Sequence, residues 1–75
     1  MGQMINLGDE IIRISPKDDK RIEYSKDGGR SWLTRYMGGC GEFEDLIDNG
    51  KEVLAQTSKG LYYSKDDGKS WLRRS

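Results

Sequence analysis

The stretch that most constrains this chain is an octapeptide that occurs twice. Ser25-Lys26-Asp27-Gly28-Gly29-Arg30-Ser31-Trp32 returns 39 residues later as Ser64-Lys65-Asp66-Asp67-Gly68-Lys69-Ser70-Trp71. Six of the eight positions are identical, and a seventh exchanges Arg for Lys. In a chain of 75 residues this leaves room for little besides two copies of one unit. Self-similarity at a period of about 20 to 50 residues marks architectures built by stacking repeated units.

Turn signals and short alternating runs divide each copy into four strands. In the first copy they are Gln3–Leu7, Glu10–Ile14, Arg21–Ser25 and Trp32–Tyr36. In the second they are Glu42–Ile47, Lys51–Thr57, Leu61–Ser64 and Trp71–Arg74. Gly8-Asp9, Pro16–Lys20, Asp48-Asn49-Gly50 and Ser58-Lys59-Gly60 supply the turns between them. Phe43–Ile47 also fits a helical turn, but no segment carries a convincing helical stripe. The chain therefore reads as all-β: one domain, 1–75, of two four-stranded antiparallel meanders. Unit one spans 3–36, a glycine-rich crossover 37–41, and unit two 42–75.

The octapeptide falls between the third and fourth strands of each unit, so it is a hairpin turn. Asp27 and Asp66 can accept hydrogen bonds from loop N–H groups that lack a ladder partner. Gly29 and Gly68 permit positive φ. Ser25 and Ser64 place a hydroxyl beside the loop, and Trp32 and Trp71 lay a large apolar surface against the hairpin. A calcium site at the two aspartates is the competing reading. Lys26, Arg30, Lys65 and Lys69 crowd them with positive charge and disfavour it.

S-x-D-x-G-x-S-W resembles the Asp-box, or BNR repeat, of sialidases and other β-propeller proteins, and matches it twice without departure. The resemblance implies two propeller-like blades with the motif on their third hairpins. It also implies a structural role for Ser25, Asp27, Gly29, Trp32, Ser64, Asp66, Gly68 and Trp71, away from any active site. Propellers close with about 4 to 8 blades. Two blades leave two outer faces bare, and alternation puts apolar groups on both faces of the strands. Ile22 with Tyr24, Leu61 with Tyr63, Ile12 with Ile14, and Val53 with Ala55 each share a side. The opposite faces hold Ile11, Leu54, Leu33 and Leu72. Homo-oligomerisation, two chains giving four blades or three giving six, is the expected completion. A monomeric two-sheet sandwich is the alternative.

The rest of the sequence narrows function mainly by exclusion. A chain this short has a marginal core unless something reinforces it. A single Cys40 forms no internal disulfide, and without His there is no zinc set. Thirteen basic residues balance thirteen acidic ones, which argues against nucleic acid as a partner. No membrane span or signal peptide is evident, and the expected compartment is the cytoplasm, with no cofactor and no metal.

The rim opposite the octapeptide hairpins would hold a ligand, across Ser15–Lys20, Thr57–Gly60 and the crossover Tyr36–Phe43. Candidate ligand-binding residues there are Arg13, Arg35, Tyr36, Cys40, Glu42 and Gln56. Gathered around an axis, such a set could hold an anion through charge-assisted bonds. No catalytic residues are expected, since no His exists to activate Cys40. The reading is a non-enzymatic module that binds a small anion, a glycan or a protein. A sialidase-like glycoside hydrolase fragment and a ligand-free structural remnant are the alternatives.

Overall fold

A computed structural model describes residues 4–74, and the chain is all-β across them. Gln3, at the start of the first expected strand, lies outside the described residues. Strands β1 (Met4–Asn6), β2 (Ile11–Ile14), β3 (Arg21–Ser25) and β4 (Leu33–Met37) form one antiparallel sheet in the order β1-β2-β3-β4. Strands β5 (Phe43–Asp48), β6 (Val53–Thr57), β7 (Gly60–Ser64) and β8 (Leu72–Arg73) form the second in the same order. Phe43–Ile47 is strand throughout, so the helical alternative falls. Pairing with β6 takes up one side of its backbone, and Phe43 and Leu46 are buried in the core. No helix among the described residues is long and apolar enough to cross a membrane.

The repeat extends beyond the octapeptide, but at a different spacing. Ile11 pairs with Ser25, and Val53 pairs with Ser64. Val53 thus follows Ile11 by 42 residues while Ser64 follows Ser25 by 39. The stretch from Val53 to Ser64 is three residues shorter than that from Ile11 to Ser25, because the β6–β7 turn is tighter than the β2–β3 turn. The first turn of each unit obeys the longer spacing closely. Gly8 N donates to Asn6 Oδ1 and Gly50 N to Asp48 Oδ1, both at 2.9 Å.

This shift inverts the packing. The first sheet turns Ile5, Ile12, Ile14 and Ile22 inward. Their equivalents on the second sheet, Ile47, Leu54, Gln56 and Leu61, lie on its outer face, where Ile47 is 46% exposed. The second sheet instead buries Leu46, Val53, Ala55 and Trp71. Their equivalents Met4, Ile11, Arg13 and Trp32 lie on the outer face of the first. The sheets therefore stack face to back, each presenting a different side of the same unit to the seam. Leu33 and Leu72 pair with Tyr24 and Tyr63, on the side of Ile22 and Leu61 rather than opposite them, which corrects the simple alternation. A register shift at Ile22/Glu23 leaves Arg35 as the extra residue of a bulge, and bulges re-aim side chains.

The crossover is fastened rather than loose. Gly38 N donates to the Lys20 carbonyl at 3.0 Å, Phe43 N to the Asp19 carbonyl at 2.8 Å, and Glu42 N to Ser58 Oγ at 2.9 Å. Cys40 is buried beside Tyr36, and the rings of Tyr36, Phe43 and Trp71 meet in tilted and edge-on contacts at the seam.

Candidate functional site

The two octapeptide hairpins repeat almost bond for bond. Ser25 Oγ donates to Asp27 Oδ1 and Ser64 Oγ to Asp66 Oδ1, each at 2.7 Å. Asp27 further accepts from Arg30 N, Ser31 N and Ser31 Oγ, and Asp66 from Ser70 N and Ser70 Oγ. The serine hydroxyls accept from Gly29 N and Gly68 N at 2.8 Å, and each indole N–H donates to the carbonyl of its glycine at 3.0 Å. The hydroxyls of Ser25 and then Ser31 hold the Asp27 carboxyl well below its ordinary range. Burial pushes the Asp66 carboxyl up, but bonds from Ser70 and Ser64 outweigh it and lower it to about 2. Both carboxylates spend their lone pairs inside the turn. The first central residue is Gly28 in one hairpin and Asp67, at φ 64°, in the other. Asp is among the few non-glycine residues that tolerate this region.

A second constellation is also repeated, and one of its copies lies where the sheets meet. Arg35 makes a two-pronged pair with Glu10 at 2.7 and 2.9 Å and lies over Tyr24 at 4.0 Å. Arg74 pairs with Glu52 and lies over Tyr63 at 4.2 Å. The hydrogen bond from Arg35 is the main cause that lowers the Glu10 carboxyl, against the opposing effect of burial, and the same bond raises the Arg35 guanidinium. Lys26 and Lys65 stand about 6 Å from Tyr24 and Tyr63 as a further repeated pair. The chemistry is the same; the surroundings are not. Arg35 is capped by the second hairpin, donating to the Asp67 carbonyl at 3.1 Å, and its side chain is 5% exposed. Arg74 has no such cap, and its side chain is 41% exposed. An open groove of about 340 Å³ runs beside the capped copy, lined by Leu7, Asp9, Glu10, Lys26, Asp67 and Lys69.

The six residues expected to bind a ligand fall in several places. Tyr36 and Cys40 come together, with the thiol donating to Tyr36 Oη at 3.6 Å. Both face the packed seam, and burial is the main cause that raises Tyr36 to about 12 and pushes the Cys40 thiol up. Arg35 belongs to the capped junction. Arg13 lies on the outer face of the first sheet, over Trp32 at 3.9 Å and paired with Glu23 at 2.8 Å. Gln56 is exposed on the outer face of the other sheet, and Glu42 is exposed in the crossover. Glu10, Glu52 and Arg74 were not singled out in the sequence. The only signal for them there is a Glu that recurs at the longer spacing and an Arg at the shorter one.

No group of three or more His, Cys, Asp or Glu side chains among the described residues could hold a metal ion. Comparison with protein-family models, with curated proteins and with solved structures finds no match.

Proposed function

We propose that this chain is a non-enzymatic interaction module, two Asp-box blades that associate with further copies of themselves. The observation that carries the reading is the face-to-back stacking of the sheets. It leaves two outer faces that are not alike but correspond to the two faces already joined at the seam. The octapeptide hairpins act as locks on the third turn of each blade, since both oxygens of each aspartate are engaged by the turn itself. The apolar side chains left on the outside, Met4 and Ile47 among them, give association a driving force.

Sedimentation equilibrium on the full chain tests the reading. Two or three chains per particle are expected, corresponding to four or six blades. A mass equal to one chain across the micromolar range overturns it.

A further inference from the structure

We infer that the outer face of the second sheet docks on the outer face of the first sheet of a second copy, with Arg74 donating to the backbone carbonyl of that copy's Gly28. The inference rests on the self-association proposed above and specifies its geometry. The template is the seam inside the chain. There Arg35 donates to the carbonyl of Asp67. Arg74 is the repeat equivalent of Arg35, and Gly28 that of Asp67. Arg74 is already oriented for the same bond, held by Glu52 and stacked on Tyr63 as Arg35 is held by Glu10 and stacked on Tyr24.

The apolar surface repeats in the same way. At the seam the backbone of Gly68 fits over Ile12 and Ile22, so closely that a Cβ there would lie 3.6 and 3.8 Å from them. The corresponding glycine is Gly29, half-buried on the first hairpin, and the corresponding residues are Leu54 and Leu61, which lie partly uncovered on the outer face of the second sheet. Two substitutions along β2 and β3 break the symmetry. The first sheet has Arg13 and Glu23 where the second has Ala55, buried, and Tyr62, partly buried. Those two charges are paired with each other at 2.8 Å, and the Arg13 guanidinium lies over Trp32, so covering them strands no lone charge.

The two patches differ, so the contact is heterologous, and two or three copies joined by it close into a ring. Such a contact has a distinctive test by mixing. Ile47→Glu with Arg74→Glu damages only the second sheet's outer face. Met4→Glu with Ile11→Glu damages only the first sheet's. Far-UV circular dichroism confirms that each is folded. Each is expected to be monomeric alone, and an equimolar mixture is expected to form one-to-one dimers and nothing larger. Arg74→Ala is the milder variant and should weaken wild-type association at least about tenfold, the range for a charged hydrogen bond. If wild type associates but either damaged protein still dimerises alone, or the mixture stays monomeric, or Arg74→Ala is neutral, this docking is wrong while self-association stands. A monomeric wild type removes both.

Discussion

Arg35 Nη1 and the carbonyl oxygen of Asp67 lie 3.1 Å apart, and that bond crosses from the first sheet to the hairpin of the second. It makes Arg35 a tie between units rather than a decoration of one. Arg35→Ala should lower stability by about 2 kcal/mol, because it leaves Glu10, mostly covered, with only the longer pair to exposed Lys26 and empties the space over Tyr24. Arg74→Ala, made under dilute conditions, should cost clearly less, because its guanidinium is 41% exposed and exposed ion pairs stabilise little. Urea midpoints of the two variants check the contrast; equal losses would contradict the role given to the Asp67 contact.

Acid should unlock the hairpins in a defined window. Asp66 titrates at about 2 in the folded chain against an ordinary 3.8, so the unfolded chain takes up the proton first as pH falls. The stability due to Asp66 is complete above about pH 5 and drains away as pH drops to about 2. Asp27 is held lower still, so its contribution goes on falling beyond that point. Asp66→Asn should be less stable than wild type at pH 7 and show a flatter decline from pH 5 to 2. Parallel decline of the two proteins in thermal denaturation would refute the assignment.

Base acts instead through Tyr36 at the seam. Tyr36 stays protonated to about 12 when folded, mainly through burial and then through the Cys40 thiol, whereas the free side chain ionises at 10.0. The folded state therefore binds more protons between these values, and stability is lost as pH rises through them. Tyr36→Phe should lose less melting temperature than wild type between pH 9.5 and about 11.5. An identical loss in both proteins would place the alkaline sensitivity elsewhere.

Two glycines separate backbone strain from crowding. Gly39 (φ 85°) and Gly50 (φ 90°) both occupy the region that disfavours a side chain. A Cβ at Gly39 would meet Tyr36 Oη at 2.5 Å, while one at Gly50 would meet nothing within 4 Å. Tyr36 cannot swing aside easily, since its ring is wedged against Phe43 and Trp71. Gly50→Ala should cost about 1 kcal/mol, and Gly39→Ala at least about 2 kcal/mol. Chemical denaturation of the pair provides the comparison.

The strands were legible because each is short, β-branched or alternating, and bounded by Gly, Asn, Asp or Pro. The hairpin bonds were legible because Ser25, Asp27 and Gly29 each have one evident task in such a turn. The inverted stacking was not. Alternation along β2 or β6 says which residues share a side, but the cross-strand partner decides which side meets the seam. Ile11 and Val53 become equivalent only once their partners Ser25 and Ser64 are known. Arg35 stood out in the sequence as a ligand candidate, but its place at the seam was hidden for a related reason, since the bulge that aims it inward leaves no mark in the residue pattern. The expected rim does carry an open depression of about 490 Å³, lined by Ile14, Ser15, Pro16, Asp19, Phe43 and Glu44, but none of the six expected ligand residues lines it, and the backbone of Gly38, Glu42 and Phe43 is consumed in fastening the crossover.

The unequal burial of the two tryptophans gives the chain a pair of optical probes. Trp71 is 7% exposed and packed against Phe43 and Tyr36, so its emission should be blue-shifted and shielded from acrylamide. Trp32 sits half-covered beneath the Arg13 guanidinium, so its emission should be red-shifted and open to the quencher. The long-wavelength component thus reports whatever comes to rest on the first sheet's outer face, while the short-wavelength component reports the integrity of the seam.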